Sequence, residues 1–146
     1  PAFTDYSMRN RTYRYYTGKP LYPFGYGLTY GDTAVESVTA DREKAVVRVV
    51  NRGTATEDVV QLYIRDMASP DATVNPKLCG FRRIFLEQGE ETEVTVPLSA
   101  QAFQVCGENG QWMQGSGKWT LYASFGQPDA RTEELTGKKA ASVVIE

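Results

Sequence analysis

The chain has 146 residues, a formal net charge of −2 and 41% hydrophobic residues, enough for one folded domain with its own core and too apolar for wholesale disorder. It contains no histidine, which excludes Ser-His-Asp and Cys-His catalysis and every imidazole metal site. No apolar run approaches the roughly 20 residues that span a bilayer, and a sequence starting at Pro1 with no signal peptide reads as a fragment or processed product.

Residues 1–30 form an aromatic arm in this reading. Phe3, Tyr13, Tyr15, Tyr16, Tyr22, Phe24 and Tyr26 are interrupted by Gly18, Pro20, Pro23, Gly25 and Gly27. Prolines push their predecessors out of the helical region and glycines weaken any helix further, so the segment is predicted to be extended. It is also basic, with Arg9, Arg11, Arg14 and Lys19 against Asp5. A basic, tyrosine-rich arm on an acidic body favours docking onto a protein neighbour. The excess is too small, and a recognisable motif too absent, to argue for nucleic acid. Gly25-Tyr26-Gly27 lacks the following helix that a phosphate cradle needs. Asn10-Arg11-Thr12 is a glycosylation sequon, with meaning only in a eukaryotic secretory host.

Residues 31–146 change period to two. Val35–Ala40 opens the series. Ala45, Val47 and Val49 then alternate with Val46, Arg48 and Val50, and Val60, Leu62 and Ile64 with Gln61, Tyr63 and Arg65. Phe81–Leu86, the Val94-Val96-Leu98 row, the Trp119-Leu121-Ala123-Phe125 row and Ala141–Ile145 follow. Alternation of this kind gives each strand one buried and one wetter face. Turn signals separate the runs at Asn51-Arg52-Gly53, Gln88-Gly89-Glu90 and Asn109-Gly110. Residues 99–103 are expected to hold one helical turn capped by Ser99. The sum is an all-β antiparallel sandwich of about seven strands, of immunoglobulin or fibronectin type III kind.

The Asp66–Lys77 connection is long and polar for such a fold, which marks it as either a flexible excursion or a contact with a neighbouring domain. Trp119 points with Leu121 into the core. Tyr63 and Tyr122 point outward, and Trp112 sits beside a turn, so these three are the candidates for a sugar-stacking platform. The alternative for Trp112 is a structural role covering one sandwich end. Cys79 and Cys106 are expected to be free thiols, with one disulfide as the alternative if their Cα atoms lie within about 7 Å, and two scattered cysteines do not make a metal site. The carboxylates Glu87, Glu90, Glu91, Glu93, Asp66 and Asp71 are expected to be solvated surface charges. Paired-carboxylate acid-base catalysis needs two carboxyl groups close together, one with a raised pKa, and nothing in the sequence would desolvate either.

Arg11-Thr12-Tyr13-Arg14-Tyr15 and Pro20-Leu21-Tyr22-Pro23-Phe24-Gly25-Tyr26-Gly27-Leu28-Thr29-Tyr30 resemble the segment that joins the catalytic body of family 3 glycoside hydrolases to their last domain. The run from Asp58 to Asp66, the run from Pro76 to Leu86 with Gly89-Glu90, Asn109-Gly110-Gln111-Trp112 and Gly117-Lys118-Trp119 follow in that family's order. Cys79 and Val105-Cys106-Gly107 depart from its usual residues. The resemblance, closest to the β-glucosidase and β-xylosidase branches, implies a fibronectin type III-like accessory domain of an exo-acting retaining β-glycosidase. It implies that the catalytic residues lie in upstream domains, that no cofactor is needed and that the enzyme is extracellular or periplasmic. Three functions remain open. The arm docks the domain onto the upstream catalytic domains and the 66–77 loop borders substrate access. Or Tyr63, Trp112 and Tyr122 bind a polysaccharide. Or the chain is a generic adhesion-type sandwich, for which an arm folded back on its own domain without an upstream partner would be the sign.

Overall fold

A computed structural model describes residues 11–27, 31–107 and 109–146. Two antiparallel sheets form the sandwich. The first contains β1 (Thr33–Ala40), β2 (Lys44–Asn51) and β5 (Glu91–Pro97), in the order β1-β2-β5. The second contains β3 (Thr56–Asp66), β4 (Lys77–Leu86), β8 (Trp119–Ser124) and β9 (Ala141–Ile145), in the order β4-β3-β8-β9. The predicted all-β sandwich is what the chain adopts, with seven long strands among the described residues.

The period-two pattern works as expected. Ala45, Val47 and Val49 of β2 meet Val60, Leu62 and Ile64 of β3, Leu121 and Ala123 of β8, and Trp119 in one continuous core. On the outside of the first sheet, Arg48 pairs with Glu36 at 3.4 Å and Glu91 at 3.1 Å, and Arg52 with Glu36 at 3.4 Å. Opposite charges on neighbouring strands make that face stable in water.

Several local features differ from expectation. β4 starts at Lys77 rather than Phe81, and a bulge between Leu62 and Tyr63 sets its register. Ser99 does precede a single 3-10 turn over Ala100–Phe103, but its side chain makes no capping bond. Asn109-Gly110 lies within the loop that joins two further short strands, β6 (Gln104–Cys106) and β7 (Trp112–Gln114). A helix that the apolar pattern does not announce, α1 (Ala130–Thr136), lies between β8 and β9. Its ends are chemically defined: the Asp129 carboxylate accepts from Thr132 N at 2.7 Å, and Gly137 closes it at φ 68°.

Asp66 corrects the sequence reading most plainly. It is 3% exposed, not solvated. Its carboxylate accepts from Ala68 N and Ser69 N at 3.0 Å, from Ser116 N at 2.6 Å and from the Ser116 hydroxyl. It thereby ties the start of the 66–77 loop to the β7–β8 connection. Gly115 stands directly against this clamp, where an added Cβ would lie 2.2 Å from the Trp119 ring and 2.4 Å from Asp66 Oδ2. Burial alone would raise the Asp66 pKa, but the hydrogen bonds, led by the Ser116 hydroxyl, together outweigh it and hold the carboxyl below its ordinary value. A depressed folded pKa lends stability that is complete above the unfolded value of about 3.9 and is lost as pH falls through the folded value. Acid titration of stability is therefore expected to show a loss beginning near pH 4. That component should shrink in Asp66→Asn, which is itself about 2 kcal/mol less stable at neutral pH because one or two acceptor sites vanish. Urea melts of both proteins between pH 3 and 7 check this.

Candidate docking surface

The arm lies against the outer face of the β4-β3-β8-β9 sheet. Its first described residues make one turn, in which Tyr15 N and Tyr16 N both donate to Thr12 O at 3.0 and 2.9 Å. The Tyr13 ring then stacks on Phe24 at 4.1 Å between centroids and 7° between planes, and Tyr22 stacks on Tyr26 at 5.3 Å. Pro20 and Pro23 lie between Tyr13 and Phe24, and Pro23 between Tyr22 and Tyr26, so the segment turns back on itself rather than running straight.

Three amide side chains, Asn75, Gln61 and Gln127, fix it to the sandwich together with Leu78 N, which donates to the Tyr13 hydroxyl at 3.3 Å. The Asn75 side chain, at the end of the 66–77 loop, donates to Tyr13 O at 2.5 Å and Tyr16 O at 2.9 Å, while its backbone N donates to Arg14 O at 2.9 Å. Gln61 Nε2 on β3 donates to Gly25 O at 3.0 Å, and Gln61 Oε1 accepts from the Tyr63 hydroxyl at 2.7 Å. Phe24 N donates to Gln127 Oε1 at 3.1 Å, just ahead of α1. Gly25 is required here: its φ is 73°, and a Cβ would fall 2.3 Å from Gln61 Oε1. Lys19 adds an exposed ion pair to Glu134 at 2.9 Å. The long loop is thus anchored at both ends, by Asp66 and by Asn75. Asn75→Ala is expected to open the arm without unfolding the sandwich. Trypsin cleavage after Arg11 and Arg14 should accelerate about tenfold, the equivalent of about 1.4 kcal/mol of lost closure.

Between the arm, the 66–77 loop and α1 runs an open cleft of about 790 Å³, walled by Tyr13, Tyr16, Tyr22, Phe24, Asn75 and Arg131. Arg131 donates to Glu134 and to Leu21 O, yet its Nε is buried with no acceptor. Of the aromatics expected at an interface, Tyr16, Tyr22 and Phe24 are exposed, Tyr22 at 63%. Tyr13, Tyr15 and Tyr26 are half-buried against the domain, and Phe3 lies outside the described residues. Leu21, which the aromatic count passed over, is more exposed than any of them.

The sugar-platform residues are dispersed. Tyr63 does point outward from β3, but the arm covers it completely, so it offers no free ring face. Burial pushes its phenol pKa up, with smaller contributions from Tyr13 and Asp129. Tyr122, directly opposite Tyr63 on β8, is half-buried beside a separate cavity next to α1. Trp112 is 59% exposed and lies at the sandwich end, where Lys77 Nζ stands 5.8 Å from its ring and 5.6 Å from that of buried Trp119. Trp112 lines a small cavity with Asp66 and Lys77, Tyr122 lines a different one next to α1, and Tyr63 lines neither. Cys79 and Cys106 are free thiols, and burial pushes Cys79 up to about 12, which makes it inert at neutral pH.

Residues 58–125 match the fibronectin type III-like domain family. A xylan 1,4-β-xylosidase of Xylanibacter ruminicola is 32% identical over 93% of this chain, which spans 16% of that enzyme. The solved β-glucosidase DesR of Streptomyces venezuelae is 30% identical with a TM-score of 0.70, over 92% of this chain and 18% of its own. Residues 58–125 belong to a fibronectin type III-like domain, and the chain is similar to one part of these glycosidases. A periplasmic β-glucosidase of Salmonella typhimurium is 31% identical over 79% of this chain and 16% of that enzyme. The Bifidobacterium adolescentis GH3 β-glucosidase structure superposes with a TM-score of 0.65 at 27% identity, over 85% of this chain and 18% of that one. The chain thus spans about a sixth of the length of these four relatives, each named as a glycosidase. No helix among its described residues is long and apolar enough to cross a membrane.

Proposed function

We propose that this fibronectin type III-like domain is a non-catalytic accessory part of an exo-acting retaining β-glycosidase, which it stabilises by docking its arm onto the catalytic domains of the same polypeptide. The observation that carries the reading is the state of the arm. It is held on the sandwich by backbone and side-chain hydrogen bonds, yet it leaves Leu21, Tyr22 and Phe24 facing solvent beside the open cleft. Rigid, exposed aromatics cost little entropy when buried by a partner and are typical anchors of protein interfaces. The fold-back is the sign expected of a free-standing adhesion sandwich, but an arm that only sealed its own domain would also turn those groups inward.

Catalysis by the domain itself lacks support in its carboxylates. Asp66, the buried carboxylate among the described residues, has a lowered pKa, opposite to what a general acid needs. Glu91 is paired with Arg48 at the surface, and Glu90 accepts from Glu87 N at 2.7 Å. Among the described residues no three metal-ligating side chains come together. Polysaccharide binding would have to rest on Trp112 or Tyr122 singly, since Tyr63 is covered. The periplasmic relative supports an extracellular or periplasmic setting.

The test is a double substitution, Leu21→Ser with Tyr22→Ala. Both groups are exposed, so the isolated domain should melt as before. The complete glycosidase that carries the domain should lose several degrees of Tm. Equal melting of substituted and unsubstituted enzyme would sink the reading.

A further inference from the structure

Resting on that reading, we propose that Phe81 and Phe85 on β4 extend the docking footprint, so that the catalytic body of the same polypeptide covers the outer face of the β4–β3 pair as well as the arm. Phe81 pairs with Gln61, Arg83 with Val59 and Phe85 with Glu57, so these six residues share the outer face. Phe81 and Phe85 are 68% and 59% exposed, and both belong to the edge strand of the sheet. Val59 lies half-buried between them, and Arg83 approaches Glu57 at 3.9 Å across the patch. Two large exposed aromatics flanking Arg83 on one sheet face are what a solvated surface avoids and a docking surface needs.

The patch is continuous with the arm. Phe81 is the cross-strand neighbour of Gln61, and Gln61 holds Gly25, next to Phe24. The opposite sheet gives the contrast: its outer face carries the Arg48 and Arg52 ion pairs with Glu36 and Glu91. The outer face of β4–β3 carries one exposed ion pair of its own, Arg83 with Glu57, but it also bears the two exposed phenylalanines and adjoins the arm.

The occupant follows from size and setting. Two phenylalanines bury at most about 150–250 Å² each, well short of the roughly 800 Å² per partner that a stable dimer needs. As an extension of a surface already engaged by the arm, that area suffices. More than four-fifths of the length of the glycosidase relatives lies outside the part this domain matches, which supplies a neighbour large enough to cover both.

Hydroxyl-radical footprinting reads the four aromatic side chains separately, in the isolated domain and in the complete glycosidase. Phe81 and Phe85 are expected to oxidise several-fold more slowly in the complete enzyme, together with Tyr22 and Phe24. Protection of Tyr22 and Phe24 alone overturns the β4 footprint and leaves arm docking standing. Protection of none of the four overturns both. Protection of Phe81 and Phe85 that grows with concentration in the isolated domain assigns the patch to a second copy and also overturns the proposal.

Discussion

Trp119→Ala is expected to destabilise the domain by about 3–5 kcal/mol, lowering Tm by about 10 °C for a domain of this size. The ring is buried and meets Phe103 edge-on at 5.7 Å, so truncation leaves a cavity and removes an aromatic contact at once. It also removes one wall of the Lys77 site, where the ammonium lies over the indole and donates to Gln101 O at 3.4 Å. Gly115, pressed against the ring, belongs to the loop that the Asp66 clamp holds, so loss of the ring loosens the 66–77 loop as well. Trp112→Ala is the internal control. That side chain is mostly exposed, and its removal should change stability by no more than about 0.5 kcal/mol. Thermal melts followed by far-ultraviolet circular dichroism separate the two, and equal losses would show that Trp119 is not the core anchor.

Asn51→Ala should cost about 3–4 kcal/mol, although it removes only a short polar side chain. Asn51 is fully buried where three segments meet. Its Nδ2 donates to Thr54 O at 2.8 Å and to Leu86 O and Glu87 O at 3.2 Å, while its Oδ1 accepts from Gly53 N at 3.0 Å and Asp32 N at 3.2 Å. One amide thus joins the approach to β1, the β2–β3 turn and the β4–β5 turn. Alanine leaves these groups unpaired in a site that excludes water, which is where an unmade hydrogen bond costs most. Asn51→Asp should be worse than alanine at neutral pH, because a carboxylate would face carbonyl oxygens that need a donor. Urea denaturation at pH 7 gives the order directly; an aspartate variant as stable as the wild type would contradict this account of the junction.

Both junctions bear on what the sequence could show. The strands were legible because burial on a sheet leaves a period-two trace, as in Ala45-Val47-Val49 and Trp119-Leu121-Ala123. Asn51 and Asp66 read as turn and surface residues because their burial is imposed by segments far along the chain, Leu86 and Ser116, which no local pattern records. The seven-residue helix α1 carries no apolar stripe; its only signals were the Asp129 cap and Gly137. Tyr63 shows the same limit in another form. Its outward direction followed from alternation, but the cover above it comes from an arm more than thirty residues earlier. The arm's extended, aromatic character was plain from its prolines and tyrosines. Its attachment depends on Asn75, Gln61 and Gln127, three amides whose partners are carbonyl and amide groups of the backbone. The exposure of Phe81 and Phe85 was hidden for a related reason, since an apolar residue on a strand reads as core until the second sheet is placed.

The docking account is tested most directly by scanning calorimetry of the isolated domain beside the complete glycosidase that carries it. A neighbour that engages only the folded sandwich raises its unfolding temperature by linkage. The domain is therefore predicted to melt several degrees higher inside the enzyme than alone. A sandwich transition at the same temperature in both would contradict the account and leave the arm as a seal for its own domain.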